Sequence, residues 1–79
     1  MVDKAFEQEV LAFIAKKLDL DLATLNRDKY FDSDLGLSSF SSMQLVCYVE
    51  DEFDIEIDEQ DIAKLQKIGQ LIDYIAAKK

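Results

Sequence analysis

Apolar residues recur with the period of a helix in three stretches of the chain. Phe6, Val10, Phe13 and Ile14 stand at i, i+4, i+7 and i+8, and Leu18 extends the stripe. This predicts an amphipathic helix over roughly Asp3 to Leu18. A second helix is predicted from Ser38 or Ser39 to about Phe53. Serine is a favoured N-cap because its hydroxyl accepts from a backbone N–H of the first turn, and Gly36 permits a sharp entry. Ile68, Leu71, Ile72 and Ile75 predict the last helix, with Lys78 and Lys79 at its C-terminal end, where cations are favoured. A short third helix is expected from Asp58 to near Leu65, with Ile57 and Ile62 placed for a hydrophobic staple.

The stretch from Asp19 to Leu37 has no long period. Asp21 can cap a short turn over Leu22 to Leu25. Leu22, Leu25, Tyr30, Phe31 and Leu35 are spaced irregularly and predict a long loop pinned by its apolar residues. Such loops are uncommon in compact domains and are often functional. With no proline and only two glycines, the chain reads as all-α. The expected fold is one domain over 1–79: an up-down bundle of three longer helices and a short third one.

The second helix carries two apolar stripes. One is Leu45, Val46, Val49 and Phe53; the other is Phe40, Met43 and Cys47. Periodicity admits two readings: both stripes lie in a broad core arc, or one stays exposed as a docking face. The helix ends in Glu50, Asp51, Glu52 and Asp54. Acids there oppose the helix dipole, so their presence points to some use other than helix stability.

Composition narrows the function. A chain of 79 residues buries only about 60% of its unfolded surface, so the core is marginal. The formal charge is −8, from 17 acidic and 9 basic residues. Such a surface repels nucleic acid and anionic membranes and favours partners with basic patches. A hydrophobic content of 49% supports a folded core rather than disorder. The lone Cys47 permits no internal disulfide and fits a reducing, cytoplasmic compartment. The start, MVDKAFEQEV, lacks the apolar region of a signal peptide, and no run approaches a membrane span. Histidine is absent, which removes the usual general base and metal ligand, so no catalytic residue is expected.

Four serines crowd the start of the second helix: Ser38, Ser39, Ser41 and Ser42. None sits in a G-x-S-x-G elbow, and none has a Lys three residues on. A calcium loop starting at Asp32 fails, because Gly36 falls at its fifth position and Met43 at its last. A start at Asp54 puts Leu65 last and fails likewise. No metal site is therefore expected. What remains is capping, or a hydroxyl used as an attachment point. A phosphodiester at a helix start meets free N–H groups and the positive dipole end. That geometry suits a phosphorylated or a phosphopantetheinylated serine, and physics alone does not choose between them.

The text Asp34-Leu35-Gly36-Leu37-Ser38-Ser39-Phe40 resembles the D-L-G-x-D-S-L signature of the acyl carrier protein family. The stretch Glu50-Asp51-Glu52-Phe53-Asp54-Ile55-Glu56-Ile57 is similar to the acidic-Phe segment of the same family, and the match runs on to Ile72-Asp73-Tyr74-Ile75. The resemblance implies that Ser39 carries 4′-phosphopantetheine, attached covalently from coenzyme A by a phosphopantetheinyl transferase. It implies a monomeric carrier of acyl or aminoacyl groups rather than an enzyme, because the prosthetic arm brings the thiol. It also implies that Leu45, Val46, Val49 and Phe53 are core. Phe40, Met43 and Cys47 would then face outward, and Glu50, Asp51 and Asp54 would meet basic patches on acyl-loading and acyl-processing enzymes.

Ser38 stands where the family usually has Asp, Ser41 and Gln44 where acids are common, and Phe40 where Leu is usual. The top of the helix is thus neutral, which is similar to discrete carriers of polyketide, nonribosomal peptide or D-alanyl-transfer pathways rather than of primary fatty acid synthesis. The rival reading is a small acidic helical interaction protein without a prosthetic group, docking on a basic partner through the second helix. It explains the charge and the exposed stripe, but not the order of loop, Gly36, Ser39 and acidic-Phe segment.

Overall fold

The computed structural model describes residues 3–78. Four helices follow in order: α1 (Lys4–Leu18), α2 (Ser39–Phe53), α3 (Glu59–Ile62) and α4 (Ile68–Lys78). A single 3-10 turn, Leu22–Thr24, interrupts the long α1–α2 loop. The fold is all-α, as the periodicity predicts. Lys78 closes α4, and Lys79 lies outside the described residues.

Local chemistry sets the helix ends. Asp3 accepts from the Ala5 amide (3.2 Å) and starts α1, and Asp21 caps the 3-10 turn through the Ala23 amide (3.0 Å). α1 and α2 both stop at an aspartate in the left-handed region: Asp19 (φ 56°) and Asp54 (φ 54°). In each case the next residue folds back, Leu20 onto the Ala15 carbonyl (2.8 Å) and Ile55 onto the Glu50 carbonyl (3.2 Å). Glycine normally fills this position, and aspartate is among the few residues that tolerate it.

The core is one cluster. Val10, Ile14, Val49, Ile68, Leu71, Ile72 and Ile75 are almost wholly buried, each such side chain contributing roughly 2 kcal/mol of hydrophobic stabilisation. Phe53 meets Phe6 and Phe13 edge to face, with centroids 5.9 and 5.6 Å away, joining the end of α2 to α1. The two stripes of α2 separate: Leu45, Val46, Val49 and Phe53 are buried, while Phe40, Met43 and Cys47 are exposed. Of the apolar loop residues, Leu25 and Phe31 reach the core, and Leu22 and Tyr30 stay exposed.

The loop is held mainly by its backbone. Tyr30 and Lys67 form an isolated antiparallel bridge. The amides of Gly69, Ile68 and Phe31 are bonded to or across it: Gly69 donates to the Arg27 carbonyl (2.9 Å), Ile68 to that of Lys29 (3.0 Å), and Phe31 to that of Gln66 (3.0 Å). Arg27 clamps the loop to two helices, through Glu7 of α1 (2.8 Å) and both carboxylate oxygens of Asp73 of α4 (2.9 and 2.8 Å). The hydrogen bond it donates to Asp73, ahead of that to Glu7, makes the guanidinium hold its proton more tightly than usual. Gly69 makes the close approach possible: a Cβ there would lie 2.9 Å from the Arg27 carbonyl oxygen and from its side chain.

The third helix departs from expectation. Its α-turns end at Ile62, not near Leu65, and continue as tighter turns from Leu65 to Ile62 (3.1 Å) and from Gln66 to Lys64 (3.1 Å). The reason is tertiary. The Gln66 carbonyl faces Phe31, and the Gln70 side chain accepts from the amides of both Gln66 and Lys67 (2.9 Å each), which begins α4. Asp58 stands at the N-cap of α3, but its side chain makes no capping hydrogen bond.

Candidate functional site

The loop before α2 is a built turn. Asp34 accepts from the Tyr30 amide (2.7 Å) through its carboxylate and returns its own amide to the Tyr30 carbonyl (3.2 Å). Gly36 donates to the Asp32 carbonyl (2.9 Å) and Leu37 to that of Phe31 (3.1 Å). Gly36 has φ +69°, with nothing within 4 Å of the place a Cβ would take. Glycine is needed there for its backbone angle, not for space. The acid of the D-L-G sequence is thus a loop staple, a role its position in the sequence does not reveal.

The four serines divide the work. Ser38 is the N-cap: its Oγ accepts from the Ser41 amide (3.2 Å) and lies 3.2 Å from the Ser41 Oγ. Its carbonyl accepts from the Ser42 amide (2.9 Å). Ser39 is the first residue of α2 and is exposed. The amides of Ser39 and Phe40 have no hydrogen-bond partner among the described residues. They are the open N–H groups of a helix start, aimed where the dipole favours an anion.

Ser39 borders a cleft of about 480 Å³. Phe31, Leu37 and Ser38 form its loop side, and Ile62, Leu65 and Gln66 form its α3 side. Beneath it lies a small apolar cavity of about 40 Å³ reaching Leu45, Val46 and Leu71. Phe31, Ser42, Ile62 and Leu65 line both spaces and form the wall between them. The residues that meet at these spaces come from four separated segments, so no local pattern in the sequence marks them.

On the outer face of α2, Phe40 is 72% exposed and Met43 44%, with Cys47 exposed one turn on. Asp51 and Asp54 are exposed beyond them. Glu50 is only half-buried and is already engaged: its carboxylate accepts from the Ile57 amide (2.9 Å). Among the described residues, no group of three or more His, Cys, Asp or Glu is placed to hold a metal ion, and no helix is long and apolar enough to cross a membrane.

Residues 8–75 match the family model described as a phosphopantetheine attachment site. The chain is 37% identical over 70 residues to an acyl carrier protein of Exiguobacterium sp., covering 89% of each. It is 30% identical over 78 residues to that of Chlorobium phaeobacteroides, covering 99% of this chain and all of the relative. A solved structure of the acyl carrier protein from Enterococcus faecalis superposes with a TM-score of 0.78 at 29% identity over the full length of both chains. With the helix order, the D-L-G turn and the exposed serine already in place, these matches show that the chain belongs to the acyl carrier protein family, whose covalent prosthetic group is 4′-phosphopantetheine.

Proposed function

We propose that the chain is a single carrier domain over 1–79 whose Ser39 bears the phosphopantetheine, and that it holds acyl or aminoacyl groups during biosynthesis. The observation that carries this reading is the placement of Ser39: an exposed hydroxyl at the first position of a fifteen-residue helix, beside two open amides and a cleft. The residues present fit the group. The amides of Ser39 and Phe40 and the positive end of α2 suit a phosphodiester on the Ser39 oxygen. Ser38, committed to capping, keeps that helix start in register. The cleft gives an attached arm a surface to lie on. When bound, the group supplies a flexible arm ending in a thiol that takes up acyl groups as thioesters.

In this reading the chain is modified and loaded by other enzymes. A phosphopantetheinyl transferase reaches Ser39. Partners with basic patches read α2, through Phe40, Met43 and Cys47 near the serine and through Glu50, Asp51 and Asp54 below. Ser38, Ser41 and Gln44 leave the upper turn uncharged, so recognition there is apolar rather than ionic. This supports a pathway of the polyketide, nonribosomal peptide or aminoacyl-transfer kind over primary fatty acid synthesis. The protein works in the cytoplasm as a monomer.

The test is the intact mass after incubation with coenzyme A and a broad-specificity phosphopantetheinyl transferase. The mass should rise by one phosphopantetheine, and Ser39→Ala should abolish the gain. A folded protein that gains nothing with this transferase or a cognate one would refute the attachment and favour a docking protein without the arm.

A further inference from the structure

The wall between the Ser39 cleft and the inner cavity is fixed on one side and loosely tied on the other. Phe31 is fastened by backbone bonds to Gln66 and Leu37, and Ser42 sits within α2. Ile62 and Leu65 belong to the α3 segment, whose helix has four residues and no side-chain cap. Its flanks are pinned, at Ile57 by the Glu50 carboxylate and at Gln66 by Phe31 and Gln70. Between the pins, the tie to α4 is Tyr74. Its hydroxyl donates to Asp61 Oδ2 (2.8 Å). Tyr74 therefore holds the first turn of α3 at Asp61.

The space behind that wall is small. At about 40 Å³ it offers little room for a chain as it stands. A longer chain enters only if Ile62 and Leu65 withdraw, because the rest of the cavity is built on α2, α4 and the fastened Phe31.

We infer that Tyr74, through its bond to Asp61, latches α3 across the passage from Ser39 to the inner cavity and so limits the length of chain the bundle shelters. The inference rests on the arm being attached at Ser39. Tyr74 acts here as a positioning residue: it lines neither the cleft nor the inner cavity.

Two measurements test it. The first uses the unmodified protein and follows amide hydrogen exchange across 59–65. Loss of the bond in Tyr74→Phe raises local opening there about fivefold. Asp61→Ala does the same, Asp61→Asn, which keeps an acceptor oxygen, loses less protection than Asp61→Ala, and Tyr74→Phe with Asp61→Ala together is no worse than Tyr74→Phe alone. The second loads an octanoyl-phosphopantetheine arm on Ser39 and times cleavage of the thioester by hydroxylamine. In Tyr74→Phe the chain spends more time inside, and cleavage slows about fivefold relative to wild type. Unchanged exchange in a folded Tyr74→Phe overturns the latch. Faster exchange with unchanged cleavage overturns its control of the cavity. If Ser39 takes up no arm, the carrier reading fails and the chain-length claim falls with it, while the exchange comparison still decides whether Tyr74 holds α3.

Discussion

The two sides of the Ser39 cleft are built on different terms. The loop side is over-determined: the Arg27 clamp, the Tyr30–Lys67 bridge, the Asp34 staple and the Gly36 turn all fix the same few residues. The α3 side has four helical residues, an idle cap and one tyrosine. Both sides line the same space, yet one is tied by many hydrogen bonds and the helix of the other by few. An attachment residue must be presented in one place to every enzyme that handles it, which calls for a firm base. A surface that accommodates different cargo gains from a wall that gives. Low local stability on one side of a binding cleft is a common way to obtain both.

The largest expected effect breaks the rigid side. Gly69→Ala places a methyl 2.9 Å from the Arg27 carbonyl oxygen, so the loop and α4 must part. Alanine's better helix propensity returns at most about 1 kcal/mol, and overpacking of this kind costs about 2 kcal/mol net. Thermal unfolding should therefore fall by about 10 °C. A melting point at or above wild type would show that the loop is not held where the hydrogen bonds place it.

A smaller effect sharpens the soft side. Partial burial, and then the bond to Asp61, raise the Tyr74 hydroxyl above the ordinary tyrosine value, against a smaller opposing effect of the Asp58 amide. The folded state thus holds this proton more tightly than the unfolded chain, where the pKa is about 10. The resulting stability is fully present below pH 10 and is lost as pH rises from there through the folded pKa. Urea midpoints from pH 8 to 11 should show wild type converging on Tyr74→Phe. A constant gap between the two would mean that the hydroxyl is not selectively held in its neutral form.

The smallest effect is a near-zero one. Removing a working N-cap costs about 1 kcal/mol. Asp58 makes no capping bond, so Asp58→Ala should change stability by less than about 0.5 kcal/mol. A full capping loss in urea denaturation would show α3 to be better anchored than its geometry implies.

Where signals were local, the sequence was readable. The spacing of Val10, Ile14, Ile68 and Ile75 marks helices that exist, and Asp3, Asp21 and Ser38 cap where a short polar side chain precedes a helical turn. The exposed stripe of α2 was separated from the buried one by family resemblance, because periodicity alone fits either face. What could not be read is long-range. The end of α3 is set by Phe31, thirty-odd residues earlier, through the Gln66 carbonyl. The cleft beside Ser39 exists because the loop and α3 meet there, and neither announces the other. The first two helices end at Leu18 and Phe53, where the sequence reading puts them, but the left-handed stop at Asp19 and Asp54 has no sequence marker, since glycine usually fills it.

The Arg27 clamp has a consequence in time as well as in space. Its partners stand 20 and 46 residues away along the chain, so it closes only after the intervening segments have been brought together. A contact that forms only after the folding transition state acts on the rate of unfolding rather than on the rate of folding. A clamp that closes in this late order lengthens the time for which the loop before Ser39 stays in place once it has formed. For a small domain with no disulfide, that lifetime is a form of protection against proteolysis that a marginal equilibrium stability does not provide by itself when cleavage outpaces reclosing.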